Sequence, residues 1–265
     1  MFGFGLVQEG PGPGRHNGPM DADLPALLTP EWRELEGRLT TAFVPRDYAT
    51  ATAFVAAIAA AAEEADHHPE VTLAPGRVVV ATHSHDAGAV TERDHRLARR
   101  IDEIAAARGV AGDPERFHRA SVWVPVTPGE AYALVSDVTR TGQWSPTCRA
   151  CRWTDPDHRG VGATFEGDNQ TPERQWTTTS TVVTADPGRR FAWQVNQGFV
   201  EWGFTLTPAA ADGTLLTQTW HFTRTGRAGF DEKWGADAVA QADQRERQAH
   251  ADMPVTLARI AAALS

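Results

Sequence analysis

Ala62-Glu-Glu-Ala-Asp-His-His-Pro-Glu70 and Thr82-His-Ser-His-Asp-Ala-Gly-Ala-Val-Thr-Glu-Arg-Asp94 are two runs on either side of a short strand pattern. Together they put four of the 10 histidines within residues 67–85. Upstream, Tyr48, Ala51, Phe54, Val55, Ile58, Ala62 and Ala65 recur at helical spacing behind Asp47, a residue suited to capping. Pro69 ends that helix, because the residue before a proline avoids helical backbone. Val71–Leu73 and Arg77–His85 then read as a hairpin across Ala74-Pro-Gly76. In its second strand Val79, Ala81, His83 and His85 share one face by the period of two. Thr91-Glu-Arg-Asp94 resembles a capping box with Asp for the usual Glu, and Leu97, Ile101, Ile104 and Ala105 form the apolar face of the helix it opens.

Further upstream, residues 1–19 read as a disordered, Gly/Pro-rich lead-in, with Met20 an alternative start. Leu24–Leu35 is expected as a short helix and Leu39–Val44 as a strand. Gly109 and Gly112-Asp-Pro114 end the first half, so the expected organisation is a unit over 20–108, a linker over 109–116 and a second unit over 117–265.

The second half changes texture. Strand patterns cover Ala120–Val126, Ala150–Thr154, Gly162–Glu166, Gln175–Thr184, Arg190–Asn196, Val200–Thr207 and Gly213–Arg224. A short helix is expected over Pro128–Val138. A longer one is expected from Gly235 to Leu264, broken or kinked at Pro254. This order describes an antiparallel sheet around a long C-terminal helix. With the smaller sheet and helices of the first half, the fold class is α+β in two domains.

Composition excludes several functions. Lys+Arg is 25 against Asp+Glu 34, a net charge of −9, which speaks against nonspecific nucleic-acid binding. The longest apolar stretch, Ala49–Ala62, contains two threonines and falls short of the ~20 residues of a membrane span. The N-terminus lacks the pattern of a signal peptide, so a cytoplasmic location is expected. Cys148 and Cys151 are the 2 cysteines; they have redox-motif spacing but lie at a strand entrance rather than at a helix N-terminus.

A histidine cluster suits acid/base chemistry, since imidazole both gives and takes a proton near neutral pH. On the residues alone three other readings stay open. His67 and His68 could simply end a helix. The cluster could bind a metal, although no His-x-x-x-His or cysteine ligand set accompanies it. Thr91 and Asp94 could be only a cap.

Over Leu24–Ala107 the chain resembles the pterin-4a-carbinolamine dehydratases, also called 4a-hydroxytetrahydrobiopterin dehydratases. The resemblance rests on Trp32, Leu35-Glu-Gly-Arg38, Phe43, Tyr48, Phe54-Val55, Ala62-Glu63, Asp66-His-His-Pro-Glu70, Val78-Val-Val80, Ser84-His-Asp-Ala-Gly88 and Thr91-Glu-Arg-Asp94. It implies loss of water from a 4a-hydroxytetrahydropterin to give quinonoid dihydropterin. His67, His68 and His85 would be catalytic, and Asp94, Glu70, Ser84 and Asp86 would bind the substrate. No cofactor or metal is implied. The ungapped register carries the third histidine role to His85 and leaves His83 as its same-face neighbour. His68 and His85 are the expected acid/base pair and His67 the binder.

Residues from Phe117 to Leu264 resemble the START-like polyketide cyclases, dehydrases and lipid-transfer proteins. The matching pieces are Val126-Thr-Pro128, Ala131–Asp137, Trp144-Ser-Pro146, Gly160-Val-Gly162, Trp176, Asp186–Trp193 and Trp220. The resemblance implies a helix-grip fold with a sheet-lined cavity. Eight of the 9 tryptophans lie beyond residue 117, which suits an apolar small-molecule ligand, while most of them read as ordinary core. His118, His158 and His221 are isolated, and no nucleophile–base pair emerges. The expected partners are therefore a pterin substrate and an apolar small molecule, with homo-oligomerisation open. The alternatives are a non-catalytic binding or regulatory protein, or a polyketide cyclase-like protein centred on the second cavity.

Overall fold

A computed structural model describes residues 31–265. The lead-in over residues 1–19, Met20 and the first part of the helix expected over Leu24–Leu35 lie outside the described residues. Within them, Arg33–Leu35 is a strand, not a helix. This β1 turns through Glu36 and Gly37, at φ 49° and 70°, and pairs antiparallel with β2, Arg38–Val44. Two successive positive φ angles are the signature of the tight hairpin turn that matches strand twist. That turn overrode the weak helical spacing.

α1, Tyr48–Ala65, is capped by Asp47, whose carboxylate accepts from Thr50 N at 2.6 Å. Asp66 ends it in the left-handed conformation, and the chain enters β3, Glu70–Ala74, and β4, Arg77–Thr82. β4 stops short of the expected His85, because Ser84 bridges back to Ala89 across a turn containing Gly88. α2, Glu92–Ala107, starts with the expected capping box between Thr91 and Asp94. The sheet order is β1-β2-β4-β3, and both helices cover one face of it around Phe54, Ile58, Val78, Val80, Leu97 and Ile101.

The segment expected as a linker is partly structured. Ala111–Gly112 forms β5 on the end of β2, and Arg77 pairs with Asp113 at 3.2 Å. The second sheet begins directly after Glu115, with β6, Arg116–Val124. α3, Pro128–Val135, and a 3-10 turn follow. Then come β7, Cys148–Trp153; β8, Thr164–Gln170; β9, Gln175–Asp186; β10, Arg190–Val195; β11, Val200–Pro208; and β12, Thr214–Phe222. All neighbours are antiparallel, in the order β6-β12-β11-β10-β9-β8-β7.

The helix α4, Arg224–Trp234, is absent from the sequence reading. Gly226 and Gly229 depress its helical propensity. Both are needed there, because a Cβ on either would come within 2.2 Å of Phe199. α5, Ala238–Ala263, lies along the sheet and runs through Pro254 without the expected break. Pro254 is on the exposed side of α5, where water can satisfy the carbonyl that proline leaves free.

α5 also joins the two sheets. Glu246 is 1% exposed and accepts from Arg33 of β1 at 2.7 Å, from Arg116 of β6 at 2.9 Å and from His118 at 2.7 Å. Arg116 also pairs with Asp243 at 2.7 Å. Burial pushes the Glu246 carboxyl up, but His118, Arg33 and Arg116 outweigh it and hold it at about 2. Among the described residues, no helix is long and apolar enough to cross a membrane.

Candidate functional site

The Asp66-His67-His68-Pro69 corner sends its two imidazoles to different surroundings. The left-handed Asp66 turns the chain back, and His67 N donates to Ala62 O at 3.1 Å. His67 is thereby buried. Its Nε2 lies 2.7 Å from Asp94 Oδ1 and 3.2 Å from Thr82 Oγ1. Asp94 is 0% exposed, and both its carboxylate oxygens accept hydrogen bonds. Thr82 donates to Oδ1 at 2.8 Å; Ser84 and the Thr91 backbone N–H donate to Oδ2 at 2.9 and 2.8 Å. Burial pushes the Asp94 carboxyl up, but the bonds from His67, Thr91, Thr82 and Ser84 outweigh it, so it stays well below the usual carboxylate range. One carboxylate thus caps α2 and fixes the His67 ring at the same time.

Strand alternation separates this group from the other histidines. Val78, Val80 and Thr82 point inward toward the helices, whereas Val79, Ala81 and His83 lie on the opposite face. His83 and His85 rest ring against ring, with centroids 4.1 Å apart. Glu70 reaches Arg38 at 2.6 Å, and Arg38, with smaller contributions from His83 and His85, holds the Glu70 carboxyl below its ordinary range. His68 is exposed and lies 3.2 Å from Glu63. Asp86 pairs with Arg93 in the turn before α2.

Of the residues expected to bind substrate, Asp94 and Ser84 are enclosed, Asp94 against His67 and Ser84 against Asp94, while Glu70 and Asp86 are exposed and salt-bridged. Of the expected catalytic histidines, His67 is inside and His68 and His85 are outside. A recess of about 250 Å³ between α1 and α2 is lined by His67 with Arg93, Arg96, Leu97 and Arg100. Neither His68 nor His85 lines it. Thr82, His83 and Arg38 join the arrangement without having been singled out for a role. The alternation of β4 marked His83, but only the fold shows that Thr82 faces Asp94. Among the described residues, no three His, Cys, Asp or Glu side chains are grouped to hold a metal ion.

The second sheet encloses a cavity of about 450 Å³ beneath α5. Trp144, Trp176, Trp193, Trp202 and Trp220 line it; of these, Trp144 and Trp220 are also buried members of the core, and Trp193 and Trp202 pack against it. Cys148 and Cys151 lie in the same wall as free thiols, with sulfurs 3.3 Å apart at a bulge in β7. The bond to Cys151 and burial push the Cys148 thiol up, which leaves it poorly reactive. His118 and His221 are taken up by Glu246 and Glu115, at 2.7 and 2.9 Å.

Comparison with known proteins separates the same two regions. The family described as pterin 4 alpha carbinolamine dehydratase matches residues 19–104. The family described as polyketide cyclase / dehydrase and lipid transport matches residues 118–253, more than half of the chain. A Thermomicrobium roseum protein whose name gives pterin-4-alpha-carbinolamine dehydratase as its inferred activity is 40% identical over 88 residues, covering 32% of this chain and 95% of its own. A Streptomyces coelicolor protein with the same name is 39% identical over 92 residues, covering 34% of this chain and 91% of its own. The solution structure of a polyketide cyclase-like protein from Corynebacterium glutamicum is 40% identical. It covers 56% of this chain and 90% of its own, with a TM-score of 0.43.

Proposed function

Because the chain belongs over residues 19–104 to the pterin 4 alpha carbinolamine dehydratase family and over residues 118–253 to the polyketide cyclase / dehydrase and lipid transport family, we propose a fusion of a pterin dehydratase with a small-molecule-binding unit. The first unit removes water from a 4a-hydroxytetrahydropterin and releases quinonoid dihydropterin. The C4a–O bond breaks as the hydroxyl is protonated and leaves as water. A ring N–H gives up its proton, and its electron pair forms the new C=N bond. The reaction needs one acid and one base, and no redox partner.

The observation that carries this reading is the His67–Asp94 contact of 2.7 Å inside a cage of Thr82, Ser84 and Thr91. A buried carboxylate that accepts from Nε2 fixes the imidazole's tautomer and leaves Nδ1 as the free acceptor. In this reading His67 binds and orients the ring, and Asp94 positions His67. His68 and His85 are the exposed imidazoles, and they exchange the protons.

Stopped-flow dehydration of enzymatically generated 4a-hydroxytetrahydropterin tests it. Acceleration over the uncatalysed rate is expected, with a loss of about 10²- to 10⁴-fold in His68→Ala and in His85→Ala. Both side chains are on the surface, so the variants keep the fold. His83→Ala decides between the neighbouring rings: if it is silent, the role stays with His85. A folded wild type that gives no acceleration overturns the dehydratase. One observation favours that second outcome: His67 alone among the histidines lines the recess between the helices. The first unit would then be a binding or regulatory element, and the second cavity would carry the function.

A further inference from the structure

On a regular strand, two residues three positions apart point to opposite faces of the sheet. Cys148 and Cys151 share a face, because β7 carries one extra residue between them. Its pairing with β8 steps from Cys148 opposite Asn169 to Ala150 opposite Asp168, so Arg149 is bulged out. Arg149 and Ala150 are both exposed, while the cysteines on either side both line the cavity beneath α5. The bulge is wedged in place. A Cβ on Gly142, in the 3-10 turn before β7, would lie 2.0 Å from the Arg149 carbonyl oxygen. Gly167, paired with Cys151 on β8, puts no side chain beside the two sulfurs.

The sulfurs are 3.3 Å apart. Closing that gap to the ~2.05 Å of a disulfide takes about 1.2 Å of movement. A shared metal ion fits the spacing less well, since two thiolates on one tetrahedral zinc stand about 3.8 Å apart. Among the described residues, no third His, Cys, Asp or Glu completes a ligand group. The two thiols are also unequal. The bond from Cys148 holds the Cys151 thiol below its ordinary range, against burial and with a smaller contribution from Thr141. The same bond, with burial, pushes Cys148 up, so the proton stays on Cys148 and thiolate character falls on Cys151.

We infer that Cys148 and Cys151 are an oxidation site for a hydroperoxide that enters the cavity, with Cys151 as the attacking sulfur and Cys148 as the resolving one. The Cys151 thiolate attacks the terminal peroxide oxygen. An S–O bond forms, the O–O bond breaks, and the leaving oxygen takes a proton and departs as water or an alcohol. The Cys148 sulfur then attacks the sulfenic sulfur of Cys151. The S–S bond forms, and the hydroxyl leaves with the Cys148 proton as water. The dithiol loses two electrons and the peroxide gains them. Cys148 needs no lowered pKa for its step, because the bulge already holds it against its target.

Hydrogen peroxide on the reduced full chain, followed by thiol counting in denaturant and intact mass, tests the inference. Both thiols are expected to disappear together, with the mass lower by two hydrogens and dithiothreitol restoring both. This result needs no variant. Cys148→Ser is expected to stop at a sulfenic acid that dimedone traps, and Cys151→Ser to react about tenfold more slowly than Cys148→Ser. The reverse order of rates overturns the assignment of the two roles. A folded chain that keeps both thiols overturns the site itself, as does oxidation that yields sulfinic acid or a cross-linked dimer without the internal bond. Zinc alone, held by the reduced chain and shielding both thiols, also overturns it and makes the pair a metal site.

Discussion

The His67 site and the tryptophan cavity are two opposite ways of building a site. The first is closed by polar groups: one buried carboxylate collects donors from His67, Thr82, Ser84 and Thr91 until nothing is left over. The second is left open. Its wall is made chiefly of aromatic rings on the sheet beneath α5, with no polar network closing it. A satisfied polar network holds its own geometry, while an apolar cavity leaves wall surface for another molecule to cover.

The largest effect is expected where the two units meet. Glu246→Gln leaves Arg33 buried without its counter-charge and leaves Arg116 with Asp243 alone, which costs about 3–5 kcal/mol. Urea denaturation should show the loss. If the comparison between two separate units is right, it should also show the single transition splitting into two. Retention of one transition at wild-type stability would mean that Arg33 does not join them.

Acid should act through the same group. The folded-state pKa of Glu246 is depressed to about 2 from an ordinary value near 4.5. Its contribution is therefore fully present above the unfolded-state value and is lost as the pH falls from about 4.5 to about 2. That is roughly 3 kcal/mol by linkage. Asp94 is shifted in the same direction and adds to the loss. Stability measured against pH in Glu246→Gln should have a shallower acid limb than in the wild type.

Asp94→Asn comes next. The amide keeps the shape, but it presents one acceptor oxygen where His67, Thr82, Ser84 and Thr91 need two. A loss of about 1–3 kcal/mol is expected in thermal or urea unfolding, with the His67 ring signals shifted by NMR. The smallest effect belongs to the cavity. Trp176→Leu removes a ring with one face on open space, so about 1 kcal/mol or less is expected. A larger cost would mean that Trp176 is core, and the contrast between the two sites would weaken.

The two sites also differ in how far the sequence discloses them. Asp47, Pro69, Gly76 and the Thr91–Asp94 box announce their elements, because caps and turns depend on neighbours a few residues away. The Leu24–Leu35 reading failed in its described part because the Glu36-Gly37 turn outweighs three residues of weak periodicity. α4 was missed because its glycines serve Phe199, a contact across some thirty residues that no local pattern reports. Within the site, the sequence supplied His67, His68, His85 and Asp94. It could not say that His67 turns inward and His68 outward, since adjacent residues differ only in the backbone torsions of one corner.

By itself, then, the sequence determined the two families, the α+β class, most element positions and the residue types available for proton transfer. These follow from short-range periodicity and from motifs contiguous in the chain. The tertiary structure alone decided which histidines share a face and that Glu246 clamps Arg33 to Arg116. It alone decided that five tryptophans line the cavity below α5. These depend on contacts between residues tens to hundreds of positions apart, where burial, charge and hydrogen bonding act on the whole fold at once.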